Sequence, residues 1–303
     1  MDDGVDLVTG AFGNTGAAIA DLLQQRGRTV RTLTNHPPSE PEATGGIVDV
    51  HPLAFDDPTA LVASFEGVET FYNTFWMRTG DGNGYDTPVA RSRLLLDAAR
   101  RAGVRNVVQL SVVKPSLHSP YPYFRGKAEV EAAARETGLP VAVVRPALIF
   151  GGDSVLLHNL AWILRRAPVF ALAGDGGYRV RPVHLDDVAR ICVEAGTGAA
   201  DETIDAVGPE RPTYRELVTQ VRDAIGSRTR LVRLPPSVVL AASKVVGLAL
   251  RDQLLTREEL ESTMEGLADS DGPATGTGSL QAWIAEHADE LGRSYRNERA
   301  SRT

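Results

Sequence analysis

The chain has 303 residues, of which 43% are hydrophobic and 23% charged, a balance typical of a folded globular protein and not of disorder. A length beyond about 250 residues predicts that the chain divides into two compact parts. Its net charge of −7 at pH 7 disfavours nucleic acid as a partner, because phosphate binding requires a basic surface.

Cysteine and histidine usage limits the chemistry further. Cys192 is the only cysteine, which excludes a disulfide framework and a thiolate metal site. The six histidines show no ligand spacing, so no metal site is predicted. The first residues are acidic and lack the apolar stretch of a signal peptide, and the longest apolar run, residues 238–250, is too short to span a bilayer. We therefore expect a cytoplasmic protein without an integral membrane segment.

Strands alternate with helices through the first half of the chain. The predicted strands cover residues 5–9, 29–33, 47–50, 70–74, 106–111 and 141–144, and the predicted helices cover 17–26, 57–65, 89–102 and 123–136. Three of these strands contain continuous apolar runs, as expected of strands that are covered on both faces. The alternation predicts an α/β fold with a doubly wound, parallel, Rossmann-like sheet.

The rhythm loosens after about residue 150. We predict a first domain over residues 1–150, a smaller C-terminal α/β domain over 151–292 and a frayed tail over 293–303. Part of the second region, near residues 180–207, is expected to return to the first sheet. Residues 238–250 are apolar nearly all the way round a helix, which predicts a buried core helix. The alternative is an apolar pocket wall or a docking surface.

A glycine-rich turn joins the first strand to the first helix. Its sequence is Thr9-Gly10-Ala11-Phe12-Gly13-Asn14-Thr15-Gly16. In this position Gly10 allows the tight turn, Gly13 lets the backbone approach a pyrophosphate, and Gly16 lets the helix pack on the strand. The turn predicts a dinucleotide site formed by Gly10, Phe12, Gly13, Asn14, Thr15 and Gly16, with an ordinary turn as the alternative.

The end of the second strand indicates which dinucleotide binds. It reads Arg31-Thr32-Leu33-Thr34-Asn35-His36, without the aspartate or glutamate that holds the ribose hydroxyls in NAD-binding domains. Arg31 and Asn35 are predicted to lie at the cofactor, and Arg31 with His36 would favour the 2′-phosphate of NADP(H). NAD(H) stays an option, and the alternative for Arg31 is a solvent-facing side chain.

A serine, a tyrosine and a lysine follow in the fifth strand and the helix after it. Tyr123 and Lys127 lie one helical turn apart on one face, and Ser111 closes the preceding strand. A tyrosine has an ordinary pKa of about 10, and a neighbouring cation lowers it toward working pH. We predict Tyr123 as the acid/base, Lys127 as its partner and as a ligand of the cofactor ribose, and Ser111 as the group that orients a substrate oxygen. The alternative is a surface helix pair.

These motifs resemble the short-chain dehydrogenase/reductase superfamily, in its atypical and extended branch, over residue 5 to about 193. The resemblance also rests on Phe55-Asp56-Asp57, on Tyr72-Asn73-Thr74, on the stretch 145–151 and on the stretch 181–189. It implies that Asp56 approaches the adenine, that Asn73 lines the cofactor and that Arg145 lies along its nicotinamide side. Within the branch the chain is similar to NmrA-like NAD(P)-binding proteins and to relatives of the nucleotide-binding accessory subunit of respiratory complex I.

The resemblance implies two functions of different classes. One is an NAD(P)(H)-dependent oxidoreductase or epimerase that acts on a small-molecule substrate, with an apolar substrate as one option. The other is a non-catalytic NADP(H)-binding sensor or assembly subunit, with a protein partner or as a homo-oligomer.

Overall fold

The computed structural model describes residues 4–38, 47, 49–77, 85–152, 155–198, 201–250 and 252–296. In chain order its strands are β1 (Val5–Thr9), β2 (Thr29–Leu33), β3 (Asp49–His51), β4 (Val68–Asn73), β5 (Asn106–Leu110), β6 (Val141–Pro146), β7 (Leu148–Phe150), β8 (Val169–Ala173), β9 (Pro182–His184), β10 (Glu202–Ala206) and β11 (Arg230–Leu234). Its helices are α1 (Asn14–Gln25), α2 (Pro58–Ala63), α3 (Asp86–Ala102), α4 (Pro122–Glu136), α5 (Val155–Arg166), α6 (Leu185–Thr197), α7 (Tyr214–Ala224), α8 (Pro236–Leu250), α9 (Arg257–Met264) and α10 (Leu280–Glu286).

The chain forms two compact units. The first comprises Met1–Pro146 and Leu185–Ala206, and the second comprises Ala147–His184 and Val207–Thr303. None of the described helices is both long and apolar enough to cross a membrane.

The first unit is built on one parallel sheet with the strand order β10-β6-β5-β4-β1-β2-β3. Its central strands are apolar on both faces, and Leu7, Val8, Val143 and Val144 are fully buried. Helices α2, α3 and α4 contact one another in sequence, whereas α1 contacts α6. Two helical layers therefore cover the sheet, and the prediction of a doubly wound, Rossmann-like α/β fold is confirmed.

The strand order places the ligand site of such a fold. The chain runs outward from β1 through β2 to β3, then returns to β4 on the other side of β1. The carboxyl ends of β1 and β4 consequently diverge, and open α/β sheets bind their ligands in the crevice outside such a point.

The second unit has its own core. Two short parallel strand pairs, β7 with β9 and β8 with β11, are covered by helices. Phe150, Leu157, Val218 and Trp283 are among the buried side chains that hold it together. This unit is an α/β structure that is separate from the large sheet.

Two predictions for the second unit need correction. Residues 238–250 lie in a helix, α8, but that helix is not buried: Leu248 is 85% exposed and Val245 is 72% exposed. The beginning of the supposed frayed tail is anchored, because the side chain of Asn159 exchanges hydrogen bonds with the backbone N–H and carbonyl of Arg296, both at 2.9 Å. Residues 297–303 of that tail lie outside the described residues.

Candidate functional site

The glycine turn closes the carboxyl end of β1. Gly10 has a φ of +66°, which L side chains rarely adopt, and the Gly13 N–H donates to the Gly10 carbonyl at 2.8 Å. A Cβ at residue 16 would overlap the backbone of Gly10, so only glycine allows α1 to approach β1 this closely. The turn has the geometry that the sequence motif predicts.

The start of α1 is prepared for an anion. Gly13 is its N-cap, no side chain caps it, and its first turn has no acidic residue. The first N–H groups of a helix lack partners within the helix and carry a partial positive charge. Gly13 and Asn14 are exposed, and Phe12 and Thr15 are partly exposed. These residues fit the pyrophosphate of a dinucleotide.

A threonine pair joins the carboxyl ends of β1 and β4. The Thr9 hydroxyl accepts hydrogen bonds from the backbone N–H groups of Thr74 (3.0 Å) and Phe75 (3.1 Å), and the Thr74 hydroxyl donates to the Thr9 carbonyl. These bonds fix the floor of the crevice at the point where the sheet diverges.

Asn73 holds this floor from behind. It is fully buried, its amide donates to Gln109 at 2.7 Å, and its side-chain oxygen accepts from the Phe75 N–H at 3.2 Å. Both ends of its amide are thus engaged inside the sheet, and the prediction that Asn73 lines the cofactor stays a prediction.

Arg31 is also engaged inside the protein. Its guanidinium donates to Asp49 at 2.7 Å and to the carbonyls of Ser64 and Glu66 at 2.9 and 2.8 Å. These bonds tie the side chain to β3 and to the end of α2, and the contact of Arg31 with a 2′-phosphate stays a prediction. The alternative of a solvent-facing Arg31 is contradicted by the same bonds.

Asn35 and Asp56 lie on the loops that follow β2 and β3. The Asn35 amide accepts from the Leu53 N–H at 2.8 Å and donates to the Leu53 carbonyl at 3.3 Å, so it ties the two loops together. The cofactor contact predicted for Asn35 stays a prediction beside this bracing role. Asp56 is exposed beside Asp57, which caps α2, and its approach to the adenine stays a prediction.

Replacing Arg31 tests whether its side chain serves the fold or binds the 2′-phosphate. We expect Arg31→Gln to lower the free energy of unfolding by about 1–3 kcal/mol, because a carboxylate and two carbonyls lose their donor. The ratio of NADPH to NADH affinity should not change. Titration with both cofactors is the measurement. His36→Gln is the comparison, since His36 is exposed on the loop that follows β2. A fall of the ratio in Arg31→Gln alone would identify Arg31 as the phosphate ligand.

Lys127 is the least ordinary group of the site. It is 5% exposed, its Nζ donates to the Leu110 carbonyl at 3.3 Å, and the same atom lies 4.3 Å from the ring centre of Trp76. Burial lowers the pKa of Lys127 from 10.5 to about 7, while the negative charge of Glu131 opposes the shift. The lysine can therefore hold or release a proton near neutral pH.

Ser111 follows the carbonyl that binds Lys127. Its backbone N–H pairs with Val144, whereas its buried hydroxyl has no hydrogen-bond partner among the described residues. A buried hydroxyl without a partner is disfavoured unless a ligand or water completes it. Ser111 and the Lys127 Nζ thus lie at one peptide, and the orphaned hydroxyl fits a substrate or cofactor group.

Aromatic rings surround the lysine. Tyr123 lies 5.9 Å from the Lys127 Nζ, measured to its ring centre, and packs edge-on against Trp76 at 5.7 Å. Trp76 stacks on Tyr85 at 5.2 Å. Gly126 makes room for these rings, since a Cβ there would lie 3.2 Å from Trp76. Ser111, Tyr123 and Lys127 are consequently neighbours in the first unit, at the carboxyl end of β5.

Glu131 and Arg145 form a buried ion pair one turn beyond Lys127. Two hydrogen bonds of 2.9 and 2.6 Å join them, and the Glu131 side chain is only 4% exposed. The Arg145 guanidinium is engaged with Glu131, and the placement of Arg145 along the nicotinamide side of the cofactor stays a prediction. The pair raises the pKa of Arg145 and supplies the negative charge nearest to Lys127.

Trp76, Tyr85 and Glu131 were missed as site residues. Trp76 follows the carboxyl end of β4, and Glu131 lies at the i+4 position from Lys127, so both had a positional signal. Tyr85 had none.

The fold and the site together define a dinucleotide-binding protein of the extended short-chain dehydrogenase/reductase superfamily. Residues 7–204 match the NAD dependent epimerase/dehydratase family, and the chain belongs to that family. A nicotinamide dinucleotide cofactor, NADP(H) or NAD(H), is thereby supported.

Two relatives and one solved structure show the range of proteins that the chain resembles. It is 29% identical to a ceramide reductase of Caulobacter vibrioides over 253 residues, which cover 80% of this chain and 77% of the relative. It is 25% identical to the 40 kDa subunit of NADH-ubiquinone oxidoreductase of Neurospora crassa over 263 residues, which cover 84% and 69%. Its fold resembles that of an NADPH-dependent quinone oxidoreductase of Escherichia coli, with a TM-score of 0.75, 19% identity and coverage of 95% and 99%.

Proposed function

We propose that the chain is an NAD(P)(H)-dependent oxidoreductase whose catalytic residues are Ser111, Tyr123 and Lys127. The observation that carries the proposal is the position of the Lys127 Nζ, which is buried against the peptide that joins Leu110 to Ser111. Membership of the family and a reductase among the relatives support it. The proposed dinucleotide ligands are Gly10, Phe12, Gly13, Asn14, Thr15, Gly16, Asp56 and Lys127.

The three side chains divide the proton chemistry between them. When bound, the nicotinamide supplies or accepts a hydride. The Ser111 hydroxyl donates a hydrogen bond to the substrate oxygen and orients it. The Tyr123 hydroxyl gives its proton to that oxygen in reduction and takes it back in oxidation. Lys127, with a pKa of about 7, replaces the proton of Tyr123 from its Nζ. An epimerase would use the same groups, and product analysis distinguishes it.

The substrate that we propose is an apolar carbonyl compound. Phe75, Trp76, Tyr85 and Tyr123 are partly exposed rings at the crevice, and such rings bind apolar groups well. The likeness to a ceramide reductase points to the same class. Long-chain ketones and their alcohols are therefore the first compounds to test.

NADP(H) is the proposed cofactor. Residues 31–36, at the end of β2, include no carboxylate to hold ribose hydroxyls, and the Asp49 carboxylate on β3 is engaged by Arg31. Because Arg31 is bonded to Asp49, the proposed preference rests on the missing carboxylate and on the exposed His36. Equal affinity for NADPH and NADH would contradict the proposed preference for NADP(H).

A second function is favoured by one observation. The similarity to a subunit of NADH-ubiquinone oxidoreductase extends over 84% of the chain, which supports a dinucleotide-binding subunit without turnover and with a protein partner. Tight NADPH binding without turnover of any long-chain ketone or alcohol would favour it.

The Tyr123 hydroxyl provides the direct test of the enzyme. We expect Tyr123→Phe to lower kcat by at least about 10²-fold, because the ring stays and only the proton donor is lost. The dissociation constant of NADPH should stay within about twofold, since no phosphate ligand changes. Steady-state kinetics and fluorescence titration measure the two quantities.

Tyr121→Phe is the matched control for this experiment. Tyr121 precedes the same helix, and its ring packs on Phe124 at 6.4 Å. We expect the loss of the Tyr121 hydroxyl to leave kcat nearly unchanged. A Tyr123→Phe variant that is as active as the wild type would refute the catalytic assignment.

A further inference from the structure

Helix α8 has one packed side and one bare side. Leu240 is 8% exposed and packs with Ala173 and Leu260, with Val239 and Met264 beside them. The opposite side presents aliphatic side chains to solvent, among which Val238 is 45% exposed and Leu248 is 85% exposed. The helix therefore uses only part of its apolar surface for the second unit.

The bare side forms a continuous stripe. It recurs every three or four residues along the helix, and we call it the α8 face: Val238, Ala241, Ala242, Val245, Val246 and Leu248. A contiguous apolar patch on a soluble surface marks a place where something binds. The α8 face is not part of the proposed active site, so this inference is independent of the proposed function.

Basic residues flank helix α8 along the chain. Residues 228–257 contain six basic residues and one acidic residue, in a chain whose net charge is −7. Arg228, Arg230 and Arg233 precede α8, Lys244 lies within it, and all four are exposed. This segment therefore carries a net positive charge, whereas the chain as a whole carries a net negative charge.

The acidic residues that follow belong to the element behind the helix. Helix α9 packs through Leu260 on the buried side of α8, opposite the α8 face. Two of its carboxylates are engaged locally: Glu259 accepts from the Thr256 N–H, and Glu261 pairs with Arg257. The α9 carboxylates do not make the α8 face acidic.

We propose that the α8 face docks on a lipid bilayer that contains anionic phospholipids. An aliphatic helix face with a basic surround binds such interfaces, where its side chains enter the boundary of headgroups and acyl chains. With 15 residues α8 is about 22 Å long, which suits a helix that lies in the membrane plane and not one that crosses it. A second copy of the chain fits less well, because pairing two α8 faces would bring two basic segments together.

Vesicle flotation of the full chain tests the proposal. We expect the protein to float with vesicles of equal parts phosphatidylcholine and phosphatidylglycerol, and far less with pure phosphatidylcholine. In the double variant Val245→Ser/Leu248→Ser, partition should fall at least about tenfold, because two exposed aliphatic side chains lose their transfer into the interface. In Lys244→Glu the partition should fall about fivefold or more, and this decrease should be smaller at high salt.

Leu94→Ser is the matched control, since Leu94 is an exposed leucine on α3 in the other unit. It should partition like the wild type, and circular dichroism should show all variants folded. Vesicle binding that is unchanged in the double variant would overturn the proposal. Absence of vesicle binding in the wild type would overturn it too, and a dimer that the double variant converts to a monomer would identify a second copy as the occupant.

Discussion

Replacing Lys127 with methionine is expected to remove turnover and to stabilise the cofactor-free protein at and below neutral pH. Burial lowers the pKa of Lys127 to about 7 in the folded chain, against 10.5 for an exposed lysine. Between these two values the unfolded chain binds the proton that the folded chain has released, so stability rises with pH across that window. The buried lysine thus lowers stability most below pH 7, and the effect vanishes above about pH 10.5.

The size of the gain follows from the shift. Each unit by which burial lowers the pKa of Lys127 corresponds to about 1.4 kcal/mol of stability that the methionine variant regains. Against this gain, methionine loses the contact of the ammonium with Trp76 and its hydrogen bond to Leu110. We expect Lys127→Met to raise the free energy of unfolding by roughly 2–4 kcal/mol at pH 6 and by much less at pH 10.5. Urea denaturation at the two pH values measures this difference.

Turnover should fall in the same variant by about 10³-fold or more, because the site loses its proton store and a ligand of the ribose. Lys244→Met is the matched control, since Lys244 is an exposed lysine and should show neither effect. A stability gain that is equal at pH 6 and pH 10.5 would mean that Lys127 is charged in the folded protein, against the proposed proton store.

Most of the fold was predictable because the first unit follows local rules. The strands at Val5–Thr9 and Thr29–Leu33 have the predicted bounds, since apolar runs bounded by glycine turns define buried strands. The third strand was predicted at residues 47–50 and lies at Asp49–His51, with residue 48 outside the described residues. Short edge strands carry little apolar pattern, so their bounds are hard to predict.

Helix α8 shows the limit of periodicity. The pattern of residues 238–250 predicts a helix correctly, but an apolar surface does not say what covers it. Leu240 and Val239 pack against Ala173, Leu260 and Met264 in the second unit. The exposure of Val245 and Leu248 depends on the tertiary arrangement, which the sequence does not encode locally.

The candidate site, like the fold, was predictable where the signal is local and not where it depends on partners distant in the sequence. The glycine turn and the pair Tyr123 and Lys127 are local motifs, and the structure gives each the expected neighbourhood, although their roles stay proposals. The ion pairs of Arg31 and Arg145 could not be predicted, because their partners lie 18 and 14 residues away along the chain. An arginine near a predicted site can bind a phosphate or pair with a carboxylate of the chain, and the sequence alone does not distinguish the two.

Replacing Gly13 with valine should abolish dinucleotide binding and leave the fold intact. The backbone of Gly13 has φ −97° and ψ 168°, an extended conformation that any residue adopts, and a Cβ there would lie 3.3 Å from the Gly10 carbonyl. The valine can therefore be accommodated with a small shift. Its side chain would nevertheless occupy the space over the N-terminus of α1 where the pyrophosphate has to reach the backbone.

The expected loss of affinity is about 10³-fold, since two hydrogen bonds to a charged phosphate are each worth about 2 kcal/mol. Fluorescence titration with NADPH measures it, and thermal melting reports the fold. Gly198→Val is the matched control: Gly198 is exposed in the same unit, and a Cβ there would meet nothing closer than 3.5 Å. We expect this control to bind NADPH as the wild type does. Wild-type affinity in Gly13→Val would refute the phosphate site, whereas a collapse of the melting temperature would show that Gly13 serves the fold.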